Sequence, residues 1–124
     1  MRLALVCLGG AFGSGARFLL AELIGKAVGP GLPWGTWAVN VIGCFCIELV
    51  VMAGAREHLS STAVLTLTTG VLGGFTTYSA FNNQTLALFR AGGAGGVLYL
   101  SATVLVCGLS GLAGLALGQT LFSR

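Results

Sequence analysis

The sequence predicts an all-α membrane protein: four transmembrane helices, the third broken near its middle, assembled as an antiparallel dual-topology homodimer. Three observations predict it. Hydrophobic residues make up 56% and charged residues 7% of the 124-residue chain, with a mean hydropathy of +0.96, far from the balance a water-soluble domain needs to cover its core. Charged and turn-forming residues divide the chain into four apolar blocks. Finally, the third block is too long for one crossing and carries helix-weakening residues at its centre.

The first block, 3–24, opens with Arg2 ahead of an apolar run that ends in the small residues Gly13 to Ala16, the outline of a cleavable leader. No A-x-A site follows and apolar character resumes at Phe18 to Leu20, so the block reads as the first span. Gly29, Pro30, Gly31 and Pro33 form the first loop, and 34–55 is the second span. Arg56, Glu57 and His58 separate it from the third block, 59–89. That block runs roughly 31 residues without a charge, about 46 Å as one helix against a hydrocarbon core of about 30 Å. Its middle holds Gly70, Gly73, Gly74, Thr76, Thr77 and Ser79, which predicts a break at 73–77. Non-helical backbone at that depth is tolerated only where protein, water or an ion meets the freed N–H and C=O groups, so the break marks a functional site. The last block, 91–122, begins with the Gly92, Gly93, Gly95, Gly96 turn and contains the fourth span, 97–122.

With four spans both termini share one side. Arg2, Arg56 and Arg124 then oppose Lys26 and Arg90, with Arg17 near the membrane edge. The bias is close to zero, so copies are expected to insert either way up and to pair about a twofold axis in the membrane plane. Gly9/Gly13, Gly92/Gly96 and Gly114/Gly118 are G-x-x-x-G pairs that permit close helix contact.

A net charge of +3 without any Lys/Arg run excludes a nucleic-acid surface. The chain has no Asp and a single histidine, His58, in a loop, which leaves no arrangement for catalysis or zinc. Cys7, Cys44, Cys46 and Cys107 lack C-x-x-C spacing and read as small packing residues.

The polar residues inside the spans point elsewhere. Thr36 and Asn40, one turn apart, put a polar stripe on the second span, and a neutral Asn donates N–H groups without burying a charge. Tyr78 and Phe81 leave one helix face, and aromatic ring edges carry partial positive charge. Tyr99, Thr103 and Cys107 recur every four residues, a hydroxyl and thiol track. Arg17 shares a helix with Glu22 and is either paired, functional or reaching to the interface. Weak donors with few fixed charges suit an anion that must bind and leave.

On these residues the sequence resembles the Fluc fluoride channel family, also called CrcB. The resemblance runs through Gly9-Gly10-Ala11-Phe12-Gly13 to Arg17-Phe18, through Gly35-Thr36 and Asn40 to Gly43 and Phe45, and above all through Gly73-Gly74-Phe75-Thr76-Thr77-Tyr78-Ser79-Ala80-Phe81. It implies a plasma (inner) membrane, multi-pass channel that exports fluoride ion passively and lowers its toxicity. It also implies a homodimer with two pathways and a structural sodium ion at the dimer centre, held by the backbone carbonyls of Gly73 and Thr76. Asn40 would coordinate fluoride, Tyr78 and Phe81 would offer ring edges, Arg17 would face the vestibule, and Tyr99, Thr103 and Thr36 would line the track. Against the family pattern, Tyr78 replaces Phe, Ala80 Thr, Gln84 Glu, Glu48 Gly and Cys107 Ser. Glu48 is expected to face away from the pore or lie near the membrane edge. The competing reading is a small dual-topology multidrug transporter coupled to protons, with Glu48 as the proton carrier.

Overall fold

The structure, a computed structural model, describes residues 1–123. Arg124, counted above with Arg2 and Arg56 on one side of the membrane, lies outside the described residues. Among those described, all regular structure is helical. Helix α1 (Arg2–Val28), α2 (Trp34–Ala55) and α6 (Ala94–Leu121) are each long and apolar enough to cross a membrane. Between α2 and α6 the chain is divided into α3 (Ser61–Leu65), a π-helical stretch (Thr66–Leu72), the short α4 (Gly73–Phe75) and α5 (Tyr78–Arg90).

Local chemistry sets these boundaries. Helix α1 runs past residue 24 because Lys26 meets Glu22 one turn back at 2.9 Å, so the first charges after the apolar run extend the helix instead of ending it. Ser60 caps α3 by accepting from the Ala63 N–H at 3.2 Å. Thr66 and Thr68 turn their hydroxyls onto the Thr62 and Val64 carbonyls, both at 2.8 Å, a back-bonding habit that bends and loosens a helix. The π-helical widening falls on the same stretch.

Helix α2 closes on Arg56 with a double carbonyl capture: His58 N–H to Ala53 O at 2.9 Å and Glu57 N–H to Gly54 O at 3.0 Å. This closure requires a left-handed residue, and Glu57 supplies it at φ 61°. The equivalent closure after α5, in which Gly92 and Gly93 donate to Phe89 and Leu88, uses glycines.

Packing is tightest where glycines let backbones meet. A Cβ at Gly13 would lie 2.0 Å from the Val71 carbonyl oxygen, and one at Gly114 would lie 2.4 Å from that of Phe45. Thus α1 is seated on the π-helical stretch and α4, while α2 makes its most extensive contact with α6. Val41 with Ser110, Phe45 with Gly114 and Met52 with Gly118 meet in rising order, so α2 and α6 run parallel. Two of the three G-x-x-x-G pairs therefore lie at helix contacts. The third does not: Gly92 sits in the turn at φ 142° with open space around its Cβ position, because the chain needs it for the reversal.

Replacing Glu57 by glycine relieves the left-handed strain. Glu57→Gly is expected to stabilise the protein by about 1 kcal/mol, read as a higher unfolding midpoint in detergent, and Glu57→Val to lower it.

Candidate functional site

The site is organised by the two residues between α4 and α5. Thr76 is extended, with ψ 159°, and so is Thr77, with φ −150° and ψ 116°. The helical ladder is thereby interrupted halfway between Ser61 and Arg90. Three side chains deal with the consequences. Thr77 caps α5 with its own hydroxyl, which accepts from the Ala80 N–H at 3.3 Å. Arg17 reaches from α1 to donate to the Thr76 carbonyl at 3.4 Å. Asn40 on α2 does most: its Oδ1 accepts from the Thr77 N–H at 2.8 Å and its Nδ2 donates to the Thr77 carbonyl at 3.1 Å. The amide group of one side chain thus meets both the main-chain N–H and the C=O of the residue at the break.

Asn40 can reach Thr77 because the facing surface of α2 is cut away one turn further on. A Cβ at Gly43 would stand 2.1 Å from the Thr76 methyl. The release of Thr77 also frees acceptors. In an unbroken helix the Thr77 N–H would donate to the Gly73 carbonyl, and here it donates to Asn40 instead. The Gly73 carbonyl and the weakly engaged Thr76 carbonyl are therefore two oxygens outside the normal ladder. Oxygen donors of this kind fit a hard cation such as sodium.

The expected residues divide between two cavities that share Thr77. The wider, about 550 Å³, is lined by Arg17, Thr36, Thr77 and Gln84. The narrower, about 330 Å³, brings together Asn40, Tyr78, Phe81 and Thr103 with Gly73 and Thr76. Among the described residues no charged side chain lines the narrower one. Phe81 is 5% exposed and Tyr78 78% exposed, although their rings meet edge to face at 5.8 Å. Phe81 is also held from the other side by Tyr99, with ring centroids 5.5 Å apart.

Tyr99 lines neither cavity. Its ring is buried, and its hydroxyl donates to Gln84 Oε1 at 3.1 Å while Gln84 Nε2 donates to Thr36 Oγ1 at 2.9 Å. This chain from α6 through α5 to α2 makes Gln84 a site residue that the sequence presented only as a departure from a family pattern. Its spacing was a usable signal, since Gln84 follows Phe81 by three residues and shares its face. The Thr103 hydroxyl is directed to the Tyr99 carbonyl of its own helix at 2.7 Å. Glu22 pairs with Lys26 and not with Arg17. Glu48 stands outside the cavity of Asn40 and Phe81, in a neighbouring one with Gly111 and Leu115. It precedes the end of α2 by about 10 Å of helix.

The chain matches the family described as CrcB-like protein, Camphor Resistance (CrcB), over residues 4–115. It is 44% identical over 124 residues to a protein of Agrobacterium fabrum, covering 98% of this chain and 99% of that one. A protein of Anaeromyxobacter dehalogenans is 50% identical over 108 residues, 86% of each chain. One of Sorangium cellulosum is 42% identical over 118 residues, 94% of this chain and 93% of its own. All three are named fluoride-specific ion channel FluC.

Removing the amide of Asn40 leaves the Thr77 N–H without its acceptor. Asn40→Ala is expected to destabilise the fold by about 1–3 kcal/mol and to speed hydrogen exchange at the Thr77 amide. Unchanged exchange there would show that Asn40 does not hold the break.

Proposed function

Because the chain belongs to the CrcB family, we propose that it is a fluoride-specific channel of the plasma (inner) membrane, through which fluoride leaves the cytoplasm passively. Near full-length identity to proteins named for that activity carries the reading. Each of the three relatives bears the channel name and none that of a multidrug carrier.

The chemistry of the two cavities supports it. Arg17, at the wider one, attracts an anion without lining the narrow part, and the Glu22 carboxylate that lines the same cavity is paired with Lys26. Thr77 and Asn40 lie at the junction, and Asn40 keeps a second Nδ2 hydrogen beyond the one given to Thr77. Beyond them the buried edge of Phe81 offers a weak positive field. Together these replace the water of a small, strongly hydrogen-bonding anion, and the absence of a lining charge lets it leave. Gln84, held between Tyr99 and Thr36, fixes the approach of α5 to α2 at the mouth.

The dimer belongs to the same reading. Gly73, Tyr78 and Ser79 are exposed on one protomer beside the interrupted backbone. Facing lipid, such backbone groups would lose several kcal/mol each. A second copy covering the break removes that penalty, and the near-balanced flanking charges let it insert the opposite way up. The composite segment 61–90 then serves as the third, broken crossing. Gly73 and Thr76 of both copies would hold a structural sodium ion at the dimer centre, supplying a fixed charge that ties the two breaks together.

Reconstituted in liposomes loaded with potassium fluoride, the protein is expected to release fluoride when valinomycin is added, and chloride-loaded liposomes are expected to release little. Asn40→Ala and Phe81→Ile should each lower the fluoride rate at least about tenfold. No release, or chloride release as fast, would refute the channel. Topology is tested separately: a cysteine at Glu57, introduced with the native cysteines replaced by serine, should be labelled by an impermeant thiol reagent from both faces of the membrane. Labelling from one face alone would refute the antiparallel pair.

A further inference from the structure

Cys44 and Cys107 stand apart from the other two cysteines. Cys44 is on α2 and Cys107 on α6, and the two helices are held at this level by the Ser110 hydroxyl on the Val41 carbonyl at 2.8 Å. At Gly111, one turn beyond Cys107, a Cβ would sit only 3.7 Å from the Cys44 carbonyl. The two side chains are neighbours across this seam. They line the cavity that holds Asn40 and Phe81, and they also line the neighbouring cavity of about 360 Å³ that holds Glu48. Among the described residues only Ile47 shares that double position, so the thiol pair forms the waist between the two spaces. Cys7 lies exposed on α1, and Cys46 lines neither cavity.

We propose that the Cys44 and Cys107 thiols form a two-sulfur site for a soft, linearly coordinating metal cation, set in the wall of the anion pathway. Ligand number selects the class of metal. Among the described residues no three His, Cys, Asp or Glu side chains cluster to hold a metal, whereas structural zinc requires four ligands. Two thiols without further donors suit soft d¹⁰ ions instead. Mercuric ion matches best on charge: Hg²⁺ displaces one proton from each thiol, two Hg–S bonds form, two protons leave, and the product is neutral. A neutral product is the form an apolar membrane interior accepts, while a monovalent ion on two thiolates leaves a net negative charge there. A metal at this waist narrows the space beside Asn40 and Phe81. The metal site stands on its own geometry, while its effect on flux rests on the fluoride-channel reading.

The test uses full-length protein carrying Cys7→Ser and Cys46→Ser, reduced, freed of reductant and reconstituted, with mercuric chloride as the probe. Bound mercury is measured after washing with a monothiol, which strips single-thiol adducts. One mercuric ion per protomer is expected to survive the wash, and Cys44→Ser, Cys107→Ser or Cys107→Ala should each abolish its retention. Fluoride release should fall about tenfold with the metal bound, and recover on adding a dithiol. Mercury retained equally by the Cys44 and Cys107 variants would overturn the site. Mercury bound with fluoride release unchanged would overturn its place in the pathway wall. If no fluoride is released before metal is added, the channel reading fails while the binding measurement still decides the site.

Discussion

The paired hydrogen bonds between the Asn40 amide and the Thr77 main chain are what the arrangement of the site depends on. A residue released from its helix inside a membrane must find partners for its N–H and C=O together, with no water to supply them. A primary amide is the neutral side chain that mirrors this pair, and in α2 it sits opposite the release point. Because Asn40 meets that demand, Thr76 and Thr77 can run extended, α5 can restart at a new angle, and the carbonyls of Gly73 and Thr76 can leave the ladder. The cavity beside Phe81 is the space that this detour opens.

Much of this was legible in the sequence because the signals were local. Helix α2 has the expected bounds, since Pro33 and Arg56 punctuate a clean apolar run. The Gly, Thr and aromatic residues near Thr76 marked weak helix, and there the extended residues are found. Thr77 as a cap follows from its residue type. Less visible was anything set by the rotation of one helix against another. The partition of Arg17 and Thr36 from Phe81 and Thr103 depends on how α5 leans between α2 and α6. The Tyr99–Gln84–Thr36 chain links residues far apart in sequence, and no periodicity reveals such a link. Gly92 shows the converse failure: its spacing to Gly96 fits close helix contact, but Gly92 serves the reversing turn and only Gly96 meets a neighbouring helix, at Phe89.

The departures from the family pattern acquire physical meaning in this setting. Gln84 offers both a donor and an acceptor, and both are used, one toward Thr36 and one toward Tyr99. An ionised carboxylate there would accept from both hydroxyls and could not donate to Thr36 Oγ1. Tyr78, exposed on a single protomer, places a hydroxyl where a plain phenyl ring would end. Glu48 lines the cavity next to that of Asn40 and Phe81 and stands outside the latter.

The backbone-to-backbone seams also divide the molecule mechanically. Val71 meets Gly13 and Phe45 meets Gly114 too closely for either seam to slide without a carbonyl striking a main chain. Helices α1, α2 and α6 and the π-helical stretch therefore form a stiff frame. The exception is α5, a short helix cut off from α4 by two extended residues and leaning chiefly on α6. It carries Phe81 and Gln84, so whatever give the protomer has is concentrated in the element that lines both cavities, like a reed fixed at one end in a rigid body.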